Sequence, residues 1–166
     1  MKTKSAIVVT LATCLLIFNA FVVNASGFTL YLTRHYEKQP DKINPALTIQ
    51  GQQRAAVLAE FFSDKSLNAV YSTPYKRTQD TAQPVADAKG LNVTSYDPRR
   101  LDEFASMLLN AGENVLVVGH SNTTPELIKK LNGAPSKIEE TQYGDLFILS
   151  IQKRGVSQSH VMIAPE

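Results

Sequence analysis

Cysteine is almost absent from this chain, and its single copy, Cys14, lies in an apolar N-terminal run. If that run is removed, the remaining chain has no thiol, which excludes disulfides, thiolate catalysis and cysteine metal sites. No run of five or more basic residues occurs, so nucleic acid and anionic membrane surfaces are not expected partners. Walker-type glycine loops and a Gly-x-Ser-x-Gly turn are also absent, which argues against a nucleoside triphosphatase and a serine hydrolase.

The first residues have the pattern of an export signal. Two lysines precede an apolar run from Ala6 to about Val23, and the small residue Ala25 follows, with Val23 two positions before it. This pattern predicts a signal peptide over residues 1–25 with cleavage after Ala25, and hence a periplasmic or secreted protein. Because the run is also long enough to stay in the bilayer, an uncleaved anchor is the open alternative. After cleavage we expect no stable membrane contact.

The basic character of the chain comes from this signal. The whole chain has 17 basic and 15 acidic residues, and removal of the two signal lysines leaves 15 of each. Residues 26–166 contain no repeat, low-complexity stretch or linker, and their number suits one domain. We therefore expect a single domain with no net charge, and the sequence does not indicate its oligomeric state.

Strand-like and helical segments alternate through that domain. The run from Asn114 to His120 is continuously apolar, as a strand buried on both faces of a parallel sheet should be. Strands are also predicted at 28–33, 69–72, 92–96, 145–152 and 159–164, with the last two forming an antiparallel hairpin. The alternation predicts a three-layer αβα sandwich around a mainly parallel sheet, with that hairpin at one edge.

Two helix boundaries carry specific expectations. Pro84 lies inside the helical pattern that follows Pro74, where a proline should kink or split the helix. The last helix is expected to have Thr124 as its N-cap and Pro125 at its first position.

Cationic and cationisable side chains follow three of the predicted strands. Arg34 and His35 end the first strand, Arg77 follows the second, and His120 ends the apolar strand. Open parallel sheets bind their ligands beyond the carboxyl ends of the strands, so these groups should meet at one edge. Arginine forks and helix N-termini suit a tetrahedral phosphate dianion, and an imidazole can act as the nucleophile toward phosphorus.

A metal site is the alternative for two neighbouring histidines. No third histidine or cysteine is available near them, so a carboxylate such as Glu37 would have to serve. The two arginines beside them would repel a divalent cation. We therefore expect no metal and no organic cofactor.

At these positions the chain resembles the histidine phosphatase superfamily, with its phosphoglycerate mutase-like fold. The resemblance rests on "LTRHYEK", "STPYKRTQDTA" and "VVGHSNTTP", which occur in the family's order, and on the helix entry "LTIQGQQRA". It spans about Leu30 to Pro125. One position departs from the family pattern: Tyr36 stands where glycine usually follows the first histidine, and we expect a narrower or differently shaped entrance without loss of the chemistry.

The resemblance implies a role for each matching residue. His35 is the expected phosphorylated nucleophile, Arg34 and Arg77 clamp the phosphate, and His120 completes the pocket. The side chains of Ser121 and Asn122 are close enough in sequence to reach phosphate oxygens.

The general acid is less well defined by the resemblance. Asp97 is preferred, because it stands at the end of a predicted strand and should face the same edge. Glu103, further along the following helix, and Glu37 are the alternatives; Glu37 could instead hold a substrate cation or the Arg34 side chain.

The sequence thus predicts a metal-independent phosphatase that hydrolyses phosphomonoesters through a phosphohistidine on His35. A small phosphorylated substrate suits an exported enzyme of this size. Two alternatives are a phosphate-binding protein of the same fold without turnover and a phosphohistidine-protein phosphatase.

Overall fold

The structure is a computed structural model that describes residues 27–40 and 43–165. The predicted signal peptide and its cleavage site lie outside these residues and stay a prediction. No helix within the described residues is both long and apolar enough to cross a membrane. Ten elements follow in chain order: β1 Phe28–Arg34, α1 Ile49–Phe61, β2 Ala69–Ser72, α2 Lys76–Lys89, β3 Val93–Ser95, α3 Leu101–Ala111, β4 Val115–Gly119, α4 Thr123–Lys130, β5 Asp145–Gln152 and β6 Gly155–Met162.

The strands form one six-stranded sheet in the order β3-β2-β4-β1-β5-β6. The first four of these strands run parallel to one another, whereas β5 runs antiparallel to β1 and β6 antiparallel to β5. The predicted mainly parallel sheet with an antiparallel hairpin at one edge is confirmed. Because β5 runs against β1, the chain enters β5 at the edge where β1 ends.

Helices cover both faces of the sheet, which makes the three predicted layers. On one face α3 and α4 pack over a core that includes Leu32, Val117 and Leu149. On the other face α1 and α2 pack over residues that include Leu116 and Val118. All five residues of β4 are buried, as its continuous apolar sequence predicts.

The start of α1 is fixed to the loop that follows His35. The Thr48 hydroxyl accepts a hydrogen bond from the Gly51 N–H at 3.1 Å, and the Thr48 N–H donates to the Glu37 carbonyl at 2.8 Å. A Cβ at position 51 would collide with that carbonyl, so only glycine allows this close approach. The N-cap of α1 therefore holds the loop beside His35 against the helix.

Two expectations about element boundaries are wrong, and a third is wrong in part. Pro84 does not split its helix, which is continuous from Lys76 to Lys89 with the adjacent Val85 and Ala86 fully buried in the core. A kink at Pro84 stays a prediction. Helix α4 begins at Thr123 with Asn122 as its N-cap, two residues earlier than predicted. Strand β6 covers Gly155–Met162, because it pairs with β5 along its whole length.

Candidate active site

Three neighbouring strands deliver the predicted residues to one edge of the sheet. Arg34 pairs with Gly119 at the ends of β1 and β4, and the His35 N–H donates to the Gly119 carbonyl at 2.9 Å. Strand β2 ends beside them, with Ser72 paired to Val118. The carboxyl ends of the parallel strands therefore place the Arg-His pair, the start of α2 and the Gly-His pair side by side.

The structure brings the four cationic or cationisable side chains together. The rings of His35 and His120 lie 5.6 Å apart between centroids, and an Nη of Arg77 lies 3.3 Å from Nδ1 of His120. The charges of Arg34 and Arg77 both act on the two imidazoles. Proximity was the expectation from the sheet topology, and the chemical role of each residue stays a prediction.

The contacts of His35 fix which of its nitrogens carries the proton. Nδ1 lies 2.8 Å from the carbonyl oxygen of Tyr36, and because a carbonyl can only accept, Nδ1 must be the donor. The lone pair of neutral His35 is then on Nε2. Burial lowers the pKa of His35 to about 3, and the charges of Arg34 and Arg77 act in the same direction. His35 is therefore a neutral imidazole at physiological pH, as a nucleophile has to be.

A chain of hydroxyl groups fixes the tautomer of His120. The Thr78 hydroxyl donates to backbone carbonyls, so it accepts from the Thr73 hydroxyl 2.9 Å away. With its own hydrogen used, the Thr73 hydroxyl accepts from Nε2 of His120, also at 2.9 Å. Nδ1 is then free to accept from Arg77. Burial, and next the charge of Arg77, lower the pKa of His120 to about 4.

Arg34 is held by a segment that the sequence reasoning did not single out, residues 139–143. One Nη donates to the carbonyls of Glu139 and Gln142 at 2.7 and 2.9 Å, and the other to the Glu140 carboxylate at 2.9 Å. The guanidinium also lies 4.4 Å from the Tyr143 ring centroid. The Nε–H groups of Arg34 and Arg77 are buried without a hydrogen-bond partner. Each arginine therefore keeps one unsatisfied donor.

A cavity of about 600 Å³ opens over this cluster. Its lining includes both histidines and Arg77, together with residues from every loop at this edge: His35, Lys38, Tyr75, Arg77, Pro98, Arg99, His120, Ser121, Asn122, Thr123 and Glu140. Ser121 and Asn122 line the cavity, in keeping with the expectation that they could reach an anion there. Arg34 lies behind the lining, with 3% of its surface exposed.

The carboxylates predicted as general acids do not line this cavity. Both oxygens of Asp97 are taken by Arg99, at distances of 2.9 to 3.0 Å, and these hydrogen bonds lower the pKa of Asp97 to about 2. Glu103 pairs with Arg100 on the surface of α3. Glu37 pairs with Arg54 at 2.6 Å, so it does not hold Arg34 as suggested.

Tyr36 also departs from its expected place. It is fully buried in the core with Leu47 and Leu58, so it cannot narrow the entrance of the cavity. Alternation along β1 would have placed Tyr36 on the face of Leu30 and Leu32, but β1 ends at Arg34 and Tyr36 packs in the core on the other face of the sheet. The residue after the histidine therefore contributes packing and the carbonyl that binds Nδ1 of His35.

The lowered pKa of His35 has a consequence for stability. Histidine in an unfolded chain titrates near pH 6.5, whereas folded His35, with its pKa of about 3, stays neutral well below that value. As the pH falls below about 6.5, His35 binds a proton in the unfolded state but not in the folded state. The free energy of unfolding therefore decreases. We expect urea unfolding to show wild type losing about 2 kcal/mol more than His35→Asn between about pH 7 and about pH 5. Equal losses in the two proteins would contradict the buried, neutral state of His35.

No group of three or more histidine, cysteine, aspartate and glutamate side chains suited to a metal ion occurs among residues 27–40 and 43–165.

Comparison with known families and proteins agrees with this geometry. The family model of the histidine phosphatase superfamily (branch 1) matches residues 30–109. Phosphoserine phosphatase 1 of Hydrogenobacter thermophilus is 36% identical over 75 residues, which cover 41% of this chain. The match spans 36% of the length of that curated relative.

Solved structures share the fold at low sequence identity. The alpha-ribazole phosphatase of Shigella flexneri superimposes with a TM-score of 0.68 at 18% identity, over 82% of this chain and 96% of that one. A mycobacterial glucosyl-3-phosphoglycerate phosphatase superimposes with a TM-score of 0.66 at 12% identity, over 85% of this chain and 100% of that one. The protein histidine phosphatase SixA, complexed with tungstate, superimposes with a TM-score of 0.65 at 15% identity, over 81% of this chain and 97% of that one.

Proposed function

We propose that this chain, which matches the family model of the histidine phosphatase superfamily (branch 1) over residues 30–109, is a phosphoric monoester hydrolase that works through a phosphohistidine on His35. The observation that carries the proposal is the tautomer of His35. Its Nδ1–H is bound to the Tyr36 carbonyl, which leaves the Nε2 lone pair of a neutral ring beside a cationic cavity. A phosphorus atom bound in that cavity would be within reach of this nitrogen.

The remaining groups would stabilise the charge of the reacting phosphoryl group. Arg77 lines the cavity, and the unsatisfied Nε–H groups of Arg34 and Arg77 are donors without a partner. A bound dianion would also raise the pKa of His120 from about 4, so that this ring could become a cationic donor. Positioning and electrostatic stabilisation are the main sources of catalysis in phosphoryl transfer.

The reaction would proceed in two displacements. Nε2 of His35 attacks phosphorus, and the N–P bond forms as the bond to the leaving oxygen breaks. Water then attacks phosphorus, the N–P bond breaks, and inorganic phosphate leaves with His35 neutral again. No metal is required, because the arginines and His120 would supply the positive charge at the phosphoryl oxygens.

The cavity also supports a small substrate. Its volume of about 600 Å³ suits a compact phosphate ester, and Lys38 and Arg99 at its wall favour a further anionic or polar group. The Tyr75 ring, 5.2 Å from that of His120, offers an aromatic surface beside the phosphate position. We propose a small phosphorylated metabolite as the substrate class.

Hydrolysis of p-nitrophenyl phosphate by the purified protein, with and without a chelator, tests the activity. We expect turnover that the chelator does not change. Turnover that disappears with chelator and returns with a divalent cation would contradict the metal-independent reaction. Tight binding of phosphate without turnover would instead identify a binding protein of the same fold.

We also propose that the reaction takes place outside the cytoplasm, and the support is the export pattern of residues 1–25 alone. N-terminal sequencing of protein recovered from the cell envelope and from the medium tests this. A start at Ser26 is the expected result. A chain that starts at Met1 and stays in the cytoplasm would contradict it.

A further inference from the structure

The cavity contains a carboxylate that neither the sequence motifs nor the predicted acids point to. Glu140 contributes the only carboxylate among the described residues that line the cavity with His35 and His120. It donates nothing and accepts from two sides, from an Nη of Arg34 at 2.9 Å and from the Ser121 hydroxyl. The Glu140 carboxylate therefore lies beside Arg34, where an oxygen of the phosphate ester would compete with it for the guanidinium.

The backbone of Glu140 is anchored, while its side chain is largely exposed and is held only by Arg34 and Ser121. Arg34 binds the carbonyls of Glu139 and Gln142 on either side of it, and the Gln142 N–H closes the turn onto the Glu139 carbonyl at 3.0 Å. The side chain itself is 76% exposed. Glu140 also borders a second cavity that contains Glu37, Arg54 and Tyr143. Rotation of its side chain can thus move the carboxylate off Arg34 without moving the chain.

We propose that Glu140 is the general acid that protonates the leaving oxygen, a role that rests on the phosphatase reaction proposed above. As the leaving P–O bond breaks and the N–P bond to His35 forms, the Glu140 carboxyl proton passes to the departing oxygen and gives a neutral alcohol. In the second displacement the Glu140 carboxylate takes a proton from the attacking water. The N–P bond then breaks, phosphate is released, and Glu140 is protonated again.

The electrostatics explain how a surface glutamate could carry that proton. In this structure the hydrogen bond from Ser121, and then the charges of Arg34 and Lys38, lower the pKa of Glu140. A bound phosphate dianion takes over Arg34 and adds two negative charges beside the carboxylate. Both changes raise the pKa of Glu140, so binding of the substrate favours the protonated form of Glu140 that the first displacement needs.

The alternatives for the acid are weaker on geometry. Asp97 is tied by three N–H groups of Arg99, and Glu103 and Glu37 each pair with another arginine away from the cavity. Each of the three is paired with an arginine and lies outside the lining of the cavity. Glu140 also has an arginine partner, Arg34, but it already lines the cavity, so a side-chain rotation is enough to free its carboxylate.

Leaving-group dependence in Glu140→Gln is the test. We compare 2,4-dinitrophenyl phosphate, whose leaving group departs without a proton, with an alkyl phosphate, whose alkoxide requires one. We expect kcat for the alkyl ester to fall by about 10²-fold or more and kcat for the activated ester to fall far less. We also expect inorganic phosphate to bind more tightly to Glu140→Gln, because the amide no longer competes for Arg34.

Two further variants make the result interpretable. Glu126→Gln removes an exposed carboxylate of α4 that pairs with Lys130, and it should leave both esters unaffected. Asp97→Asn should leave the ratio of the two rates unchanged. Equal losses on both esters in Glu140→Gln, or a selective loss in Asp97→Asn, would overturn the assignment while leaving the phosphatase reaction in place. Absence of turnover of either ester by wild type would overturn the phosphatase reaction and this inference with it.

Discussion

Replacement of His35 by alanine should lower kcat/KM for phosphomonoesters by about 10⁴-fold or more, which is the scale of loss when a covalent nucleophile is removed. The physical reason is that no other side chain at the cavity offers an uncharged nitrogen with a free lone pair. His120 is the other imidazole there, and its Nδ1 accepts from Arg77 while its Nε2 donates to Thr73. It is therefore oriented as a partner of the phosphoryl group and cannot replace His35.

Steady-state kinetics of His35→Ala and His160→Ala make the comparison. His160 lies on β6 and contacts Asp145 at 3.0 Å, outside the cavity, so its loss should leave turnover near the wild-type value. Retention of more than about one-hundredth of the wild-type kcat/KM by His35→Ala would mean that His35 is not the nucleophile.

Replacement of Arg34 by glutamine should produce the second largest loss, about 10²- to 10³-fold in kcat/KM. Arg34 would bind the phosphoryl oxygens, and its buried Nε–H has no other partner. The same substitution also releases the carbonyls of Glu139 and Gln142 and the Glu140 carboxylate. We therefore expect weaker phosphate binding together with a loss of about 1–3 kcal/mol in the free energy of unfolding.

Arg100→Gln is the matched control for Arg34→Gln. Arg100 pairs with Glu103 on the surface and does not line the cavity, so both activity and stability should stay close to wild type. Arg34→Lys should restore part of the stability but little of the activity, because an ammonium group cannot reproduce the fork of the guanidinium. Loss of stability in Arg34→Gln with unchanged affinity for inorganic phosphate would show that Arg34 is structural only.

The central part of the site was predictable from the sequence because parallel strands share a polarity. Once 28–34, 69–72 and 115–119 are recognised as parallel strands, their carboxyl ends must meet at one edge. Arg34, His35 and His120 follow from that rule, and Arg77 follows from its place in the first turn of α2. The proximity of these residues needs no knowledge of side-chain packing.

The position of Glu140 at the cavity could not be predicted from the polarity of the parallel strands. It depends on β5 pairing antiparallel with β1, so that the residues before Asp145 reach the edge where β1 ends. The sequence indicated a hairpin at an edge of the sheet, but it did not indicate which parallel strand the hairpin joins. A polar "EETQYG" stretch just before that strand was the available signal.

Asp97, the preferred general acid, does not line the cavity for a local reason. Asp97 does stand just after β3, but Arg99 lies two residues on and folds back on it with three hydrogen bonds. This contact between Asp97 and Arg99 depends on the conformations of the two side chains. The pattern of strand residues predicts where the strand ends, but it does not predict side-chain conformations. Tyr36 is a similar case, because its burial in the core is set by the course of the chain after β1 ends at Arg34, which the family motif does not describe.

Trapping of the covalent intermediate tests the proposed reaction most directly. The protein is mixed with a ³²P-labelled ester, denatured in base within a few turnovers, and digested for peptide mapping. We expect the label on Nε2 of His35, stable in base and released in acid. Continued turnover with no trapped label, or label on a hydroxyl such as that of Ser121, would contradict nucleophilic attack by His35.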